Sequence, residues 1–351
     1  RVRDDFNALR IDKGAVASTV LDEPYAEERL KNTLIYSGVF NSKNGINRLN
    51  QFIQAEKITK SINTVYGSIQ KLYARNSDLV VLCEDKILKV LADKDAVFNA
   101  DGNPQLIATN NVLGQTVPYA GDYGISKNPE SFAAFGNRIY FADKDRGKVF
   151  RLSGGVGGGD GLTDISGKGM GDYFSDNLPV SDKILGIYDE DTNAYHITLK
   201  TPEDNDDTAS FKEAVDGWPS RKSFIPEWGI SLNNFLYTFK DGDLYQHNDD
   251  KSTRRCNYYG TSHNATIDVI FNTARNAIKK FKTLNYEGDA NWQAVSVTTD
   301  QESGGGATFK AKENKYFTHL KHAKSFTSKV KIENGDDGPI IIPDEQEVSA
   351  V

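Results

Sequence analysis

The sequence predicts an all-β fold: a propeller-like array of antiparallel hairpins, a smaller C-terminal β domain, and extended arms at both ends. Three observations carry this expectation. A strand, an acidic turn and a strand are clearest at 138–152, where Arg138-Ile139-Tyr140-Phe141-Ala142 and Lys148-Val149-Phe150-Arg151-Leu152 flank Asp143-Lys144-Asp145-Arg146-Gly147. The same pattern returns at 79–91, 184–199 and 235–247. Its spacing of about 50 to 60 residues falls in the range that points to propellers or arrays. The chain also carries 16 Tyr and 18 Phe, residues that suit a pleated, half-buried surface.

Each unit has its own turn chemistry. In the unit at 138–152, Gly147 is available for positive φ, and the second strand alternates polar and apolar. Leu79-Val80-Val81-Leu82-Cys83 turns at Glu84-Asp85-Lys86 into Ile87-Leu88-Lys89-Val90-Leu91. Ile184 to Tyr188 turns at Asp189-Glu190-Asp191-Thr192-Asn193 into Ala194 to Leu199, and Phe235 to Phe239 turns at Lys240-Asp241-Gly242-Asp243 into Leu244 to His247. A lone hairpin is marginal in water, so each must be covered by something like itself. The acidic turns are expected at the surface.

Around these units the chain divides into an N-terminal arm and linker at 1–66, a propeller-like domain at 67–250, a smaller β domain at 251–323 and a C-terminal tail at 324–351. Within the arm, Glu23-Pro24-Tyr25-Ala26-Glu27-Glu28 reads as the start of a short helix, with Pro in the first turn and acids at the positive end of the dipole. Residues 167–180 read as a loop or short helix. In the smaller domain, Ile267, Val269 and Phe271 alternate in one strand, Phe281 and Leu284 mark a second, Ala294 to Thr298 is a third and Phe309 to Leu320 a last. Residues 1–60 and 325–351 show little apolar periodicity, so their order is expected to come from neighbouring subunits.

The 351 residues carry a net charge of −7 and a pI of about 5.4, against the basic surface of a general nucleic-acid binder. Cys83 and Cys256 are 173 positions apart and make no disulfide framework. No run of about 18 apolar residues is present, nor the basic and apolar regions of a signal peptide. A soluble protein of a reducing compartment is the expectation. The chain begins at Arg1 and not at Met, which points to a segment of a longer protein.

The motif tests for chemistry fail. The run Gly154-Gly155-Val156-Gly157-Gly158-Gly159-Asp160-Gly161 has neither the Lys-Ser/Thr of a phosphate loop nor the spacing of a dinucleotide fingerprint, and a strand follows it. Asp143-Lys144-Asp145-Arg146-Gly147 and Asp241-Gly242-Asp243 lack the remaining ligands of a calcium loop. His319 and His322 would share a face only on a helix, and their surroundings read as strand. No nucleophile elbow and no zinc-protease motif occurs. No catalytic, cofactor-binding or metal residue is assigned, and no cofactor is expected.

The central stretch resembles the tail "stabilization" proteins of crAss-like and marine bacteriophages, virion structural proteins that build the tail muzzle or nozzle. The resemblance rests on Gly67-Ser68-Ile69-Gln70-Lys71-Leu72-Tyr73-Ala74, Asp93-Lys94-Asp95-Ala96-Val97-Phe98, Tyr123-Gly124-Ile125-Ser126-Lys127-Asn128-Pro129-Glu130-Ser131-Phe132 and Tyr140-Phe141-Ala142-Asp143-Lys144-Asp145-Arg146. It continues in Arg151-Leu152-Ser153, Gly229-Ile230-Ser231-Leu232-Asn233-Asn234 and Thr283-Leu284-Asn285-Tyr286-Glu287-Gly288. It implies a β-rich, propeller-like virion subunit, made in the bacterial host cytoplasm and assembled as a homo-oligomeric ring in a phage tail. Other tail or portal-proximal proteins would be its neighbours, genomic DNA would pass without specific binding, and there would be no membrane insertion and no catalysis. The glycine run after Ser153 departs from the family pattern. The alternative is a propeller that binds or cleaves glycans for host recognition, with Trp218, Trp228 and Trp292 as stacking platforms.

Overall fold

The computed structural model describes residues 30–334 except 39, 44, 53–57, 76–77, 99–103, 155–159, 204, 249–254, 272, 274–275, 278, 280, 289–291, 299–302, 314 and 321–328. Two compact units are present, Arg1–Asp249 and Asp250–Val351.

The first unit opens with short strands β1 (Thr33–Ile35), β2 (Phe40–Asn41), β3 (Ile46–Asn47) and β4 (Thr59–Ser61), pairing β1 with β4 and β2 with β3. A run of antiparallel meanders follows. The first sheet holds β5 (Ile69–Arg75), β6 (Asp78–Cys83), β7 (Ile87–Phe98) and β8 (Pro104–Pro118) in chain order. The second holds β9 (Ala133–Phe135), β10 (Arg138–Asp143), β11 (Lys148–Gly154) and β12 (Asp160–Asp164). After the short helix α1 (Gly171–Asn177), the third holds β13 (Lys183–Asp189), β14 (Ala194–Lys200), β15 (Asp207–Lys212) and β16 (Gly217–Lys222). The fourth has β17 (Trp228–Leu232), β18 (Phe235–Lys240) and β19 (Asp243–Gln246).

The expected hairpins at 79–91, 138–152, 184–199 and 235–247 are all antiparallel pairs. Each is the middle or end of a larger meander, whose flanking strands complete the sheet.

Alternation along the strands stacks the sheets. In β10, Ile139 and Phe141 face the first sheet and join Val80, Leu82 and Ile87 with Phe150 and Leu152. Tyr140 and Ala142 face the other way, joining Val149 and, from the third sheet, Ile184, Tyr195, Ile197 and Phe211. A strand buried on both faces needs apolar residues at both parities, which is why this run lacks a polar face. Phe174 and Leu178 from α1 and its end close the second core. The outer face of the first sheet, Val81, Cys83, Leu88 and Val90, is covered by Leu34 and Ile62. The N-terminal segment thus does bury apolar groups within its own chain, at Leu34, Ile58 and Ile62. Its expected helix near Glu23-Pro24 lies outside the described residues.

The second unit has the hairpin β20 (Asn257–Tyr258) and β21 (Thr261–Ser262) and two further sheets. Strands β22 (Ala265–Ile270), β23 (Thr283–Tyr286), β24 (Trp292–Thr298), β25 (Ser303–Thr308), β26 (Lys310–Lys312), β27 (Lys315–His319) and β28 (Lys329–Asn334) pair in the orders β22-β28-β24-β25 and β23-β27-β26. The region Phe309 to Leu320 holds two strands where one was expected. Residues 329–334, read in sequence as tail, form a central strand between β22 and β24. Leu284, Ala294 and Val297 form this unit's core.

Two glycines mark where segments touch too closely for a side chain. A Cβ on Gly186 would sit 2.0 Å from the Ser131 carbonyl oxygen, and one on Gly124 would sit 2.0 Å from that of Glu84. The Ser131 carbonyl also accepts from the Tyr195 hydroxyl at 2.8 Å. Gly186→Ala must therefore push backbone apart between the second and third sheets. It is expected to cost about 2 kcal/mol or more, read as a lower urea midpoint, whereas Gly136→Ala, with nothing near its Cβ, should test the generic cost at a positive-φ turn.

Candidate functional site

Two buried polar clusters hold the stack together, and both begin at turns expected to be exposed. At the end of β10, Asp143 is fully buried. Its carboxylate accepts from Gly124 N at 3.2 Å and Ser126 Oγ at 2.9 Å, and from Arg146 through its backbone N at 3.2 Å and its Nη1 at 3.1 Å. Arg146 Nη2 reaches on to Asp85 at 3.1 Å, in the turn of the first sheet. Burial pushes the Asp143 pKa above its ordinary value even against these donors. One carboxylate thus ties the turn after β10 to the loop at 124–126 and, through arginine, to the preceding sheet. The turn at 143–147 is buried at Asp143 and Gly147, with Asp145 exposed.

The second cluster lies on the face of the third sheet turned away from the second. Here β14 and β15 place His196 opposite Ser210 and Thr198 opposite Thr208. His196 Nδ1 is 2.7 Å from Ser210 Oγ, and its Nε2 is 3.5 Å from Asp189 Oδ2. The carboxylate favours the tautomer with the proton on Nε2, leaving Nδ1 to accept from the serine. Asp189 accepts further from Thr192 Oγ1 at 2.6 Å and Asp191 N at 3.1 Å. Burial raises its pKa, but the donors from His196 and Thr192 outweigh it and hold the carboxylate down at about 2. From the fourth sheet, Thr238 Oγ1 is 2.6 Å from His247 Nε2, and Phe224 lies between the two imidazoles. Burial lowers both histidines, His247 to about 4.

Asp189, His196 and Ser210 are the residue types of a hydrolase triad. Their exposures are 1%, 2% and 0%, so no substrate reaches the serine in this structure. The cluster satisfies polar groups between two sheets. Sequence reading missed it because the contacts are cross-strand, and only the register brings His196 beside Ser210.

The other singled-out residues scatter. Trp218 packs on Phe174 and Phe211 and donates from Nε1 to Ile165 O at 2.8 Å. Trp292 packs on the core of the second unit, and Trp228 is 43% exposed. The glycine run enters β12, with Gly154 opposite Asp160 and Ser153 opposite Gly161; residues 155–159 lie outside the described residues. Beside it, an open depression of about 430 Å³ is lined by Phe135, Asn137, Arg138, Arg151 and Ser153, and Arg151 is paired with Glu213. His319 is exposed on β27, and His322 lies outside the described residues. Among the described residues, no three His, Cys, Asp or Glu side chains converge as metal ligands, and no helix is long and apolar enough to cross a membrane. Cys83 is buried, its thiol pushed up to about 11 mainly by desolvation.

Residues 253–323 match the family described as the crassvirus muzzle protein C-terminal domain. The match falls within the second unit and supports, for the chain, the crassvirus tail muzzle family that the central stretch resembles. A structural role in the phage virion goes with that domain. Comparison with curated proteins finds no match.

The clusters make two predictions. Asp143→Ala leaves Gly124 N, Ser126 Oγ and Arg146 without their acceptor and should cost about 3 kcal/mol, read by thermal or urea denaturation. The histidines set the acid response. Unfolded histidine titrates near 6.5, whereas folded His247 stays neutral to about pH 4. Between these values the unfolded chain binds protons that the folded chain refuses, so stability falls as pH falls. His247 alone should remove about 2 kcal/mol between pH 7 and 5, and His247→Gln should flatten that slope. The Asp189 contribution, present above 3.8, is lost only as pH drops through about 2.

Proposed function

We propose that this chain is a structural subunit of a phage tail muzzle, assembled as a ring at the tail nozzle and acting by assembly and not by catalysis. The observation that carries the reading is the muzzle-domain match at 253–323. Consecutive antiparallel meanders, each packed face to face on the next, support a propeller-like body, since propellers are built from such sheets. On this reading residues 67–250 are the propeller-like body, 251–323 the smaller β domain, and 1–66 and 324–351 the segments that engage neighbours. Partners are further copies of the chain and adjacent tail or portal-proximal proteins. A net charge of −7 suits a lumen through which DNA passes, because like charge keeps the genome from sticking.

The glycan-binding alternative loses support from the tryptophans, since Trp218 and Trp292 are engaged in packing. Electron microscopy of the purified full chain and of the virion that contains it tests the proposal. Closed rings in solution and density for the chain at the tail are expected. A protein that stays monomeric at all concentrations and is missing from the tail would overturn it.

A further inference from the structure

The last sheet of the stack has one exposed apolar face. The buried face of the fourth sheet carries Gly229, Leu236, Thr238 and His247, and Ser231 donates to the Tyr188 carbonyl at 2.8 Å. The register places Trp228 opposite Phe239, Leu232 opposite Phe235, and Phe239 opposite Leu244. With Ile230, these six side chains share the other face. All six are exposed, from 38% at Phe239 to 65% at Leu232. Among the described residues this sheet has three strands where its three predecessors have four.

A contiguous face of this kind on a folded chain marks an interaction site. Each of the preceding sheets hides its apolar faces against a neighbouring sheet or against Leu34 and Ile62. The fourth has the residues for such a neighbour and leaves them exposed.

The far end of the same unit presents a complementary surface. The β1–β4 ladder continues through Tyr36 N to Ile58 O at 3.1 Å and Gly38 N to Gln51 O at 2.9 Å, and ends in the β2–β3 hairpin. This ribbon is rooted on the first sheet by Leu34 and Ile62. Its outer part exposes Phe40, Ile46 and Leu49 beside exposed Lys31, Lys43 and Arg48. Residues 30–75 carry seven Lys and Arg against one Glu. Residues 227–249 carry four Asp and Glu against one Lys, with Glu227, Asp241 and Asp243 exposed at the ends of the fourth-sheet strands. The charge of residues 30–75 is opposite to that of the acidic rim around the apolar face of the fourth sheet.

We infer that the open face of the fourth sheet seats a second copy of this chain, through that copy's basic β1–β4 ribbon and β2–β3 hairpin. The contact is head to tail: one copy offers the face and the other the ribbon. A heterologous contact of this type propagates and closes into a ring when its rotation allows. Apolar burial supplies the affinity, and the opposite charges fix orientation and speed encounter. The inference rests on the ring reading and names the surfaces that would build the ring.

Disulfide trapping in the full chain, with Cys256→Ser as background, tests it. Mixing Ile230→Cys chains with Ile46→Cys chains under mild oxidation should give a cross-linked dimer, and neither chain alone should. Ile230→Lys should weaken assembly at least tenfold in sedimentation, as should Asp241→Lys with Asp243→Lys. The double charge reversal should be rescued by chains that also carry Lys43→Glu and Arg48→Glu. Circular dichroism confirms that these surface variants fold. Self-cross-linking of Ile230→Cys chains would make the contact symmetric and overturn the inference. So would rings, seen by microscopy, that survive Ile230→Lys; that result would leave the muzzle reading standing. A chain that never associates would overturn both.

Discussion

Everything in the first unit depends on strands that are buried on both faces. In β10 the odd-numbered Ile139 and Phe141 meet the first sheet while Tyr140 and Ala142 meet the third. A strand of this kind has no wet side, so its sheet is stable only between two others. The constraint then passes along the chain. The first sheet needs the Leu34 and Ile62 cover on its outer face, the third needs a partner for its outer face, and the fourth inherits an unmet version of the same demand. The proposed assembly would continue the packing rule that builds the unit itself.

Close stacking leaves polar atoms to be satisfied in the interior. The structure does this at sheet boundaries. Asp143 collects donors from Gly124, Ser126 and Arg146 where the first and second sheets meet, and Asp189 with His196 and Ser210 does the same near the third and fourth. A buried carboxylate is costly unless it is hydrogen-bonded, and once its donors are in place, removing it leaves several of them orphaned. These clusters therefore specify which turn meets which loop more than they add net stability. The residue types of a hydrolase triad here lie in a closed layer, and they illustrate why access has to be read together with residue identity.

The muzzle-domain match at 253–323 lies in the second unit, whereas the sheet stack builds the first. One is family likeness in the second unit; the other is physical construction in the first. The two segments that carried much of the resemblance, Tyr123 to Phe132 and Tyr140 to Arg146, turn out to touch. Gly124 and Ser126 hold Asp143, and Ser131 Oγ accepts from Ala142 N at 3.1 Å. A likeness spread over separate stretches of sequence is one latch in space.

The sequence by itself determined the β class, the four hairpins and the presence of a second β unit, because alternation and turn residues are local properties of the chain. It misjudged the turns at Asp143 and Asp189, because charge in a turn reads as solvated and the donors that bury it come from loops and strands distant in sequence. It read 329–334 as tail, although Val330 and Ile332 lie on a strand paired on both sides. Only the tertiary structure decided that flanking segments complete four-stranded meanders, that His196 faces Ser210, and that Trp228, Ile230, Leu232, Phe235, Phe239 and Leu244 share one exposed face. Each depends on strand register and sheet-on-sheet contact, which link residues far apart in the chain and leave no local periodicity to read.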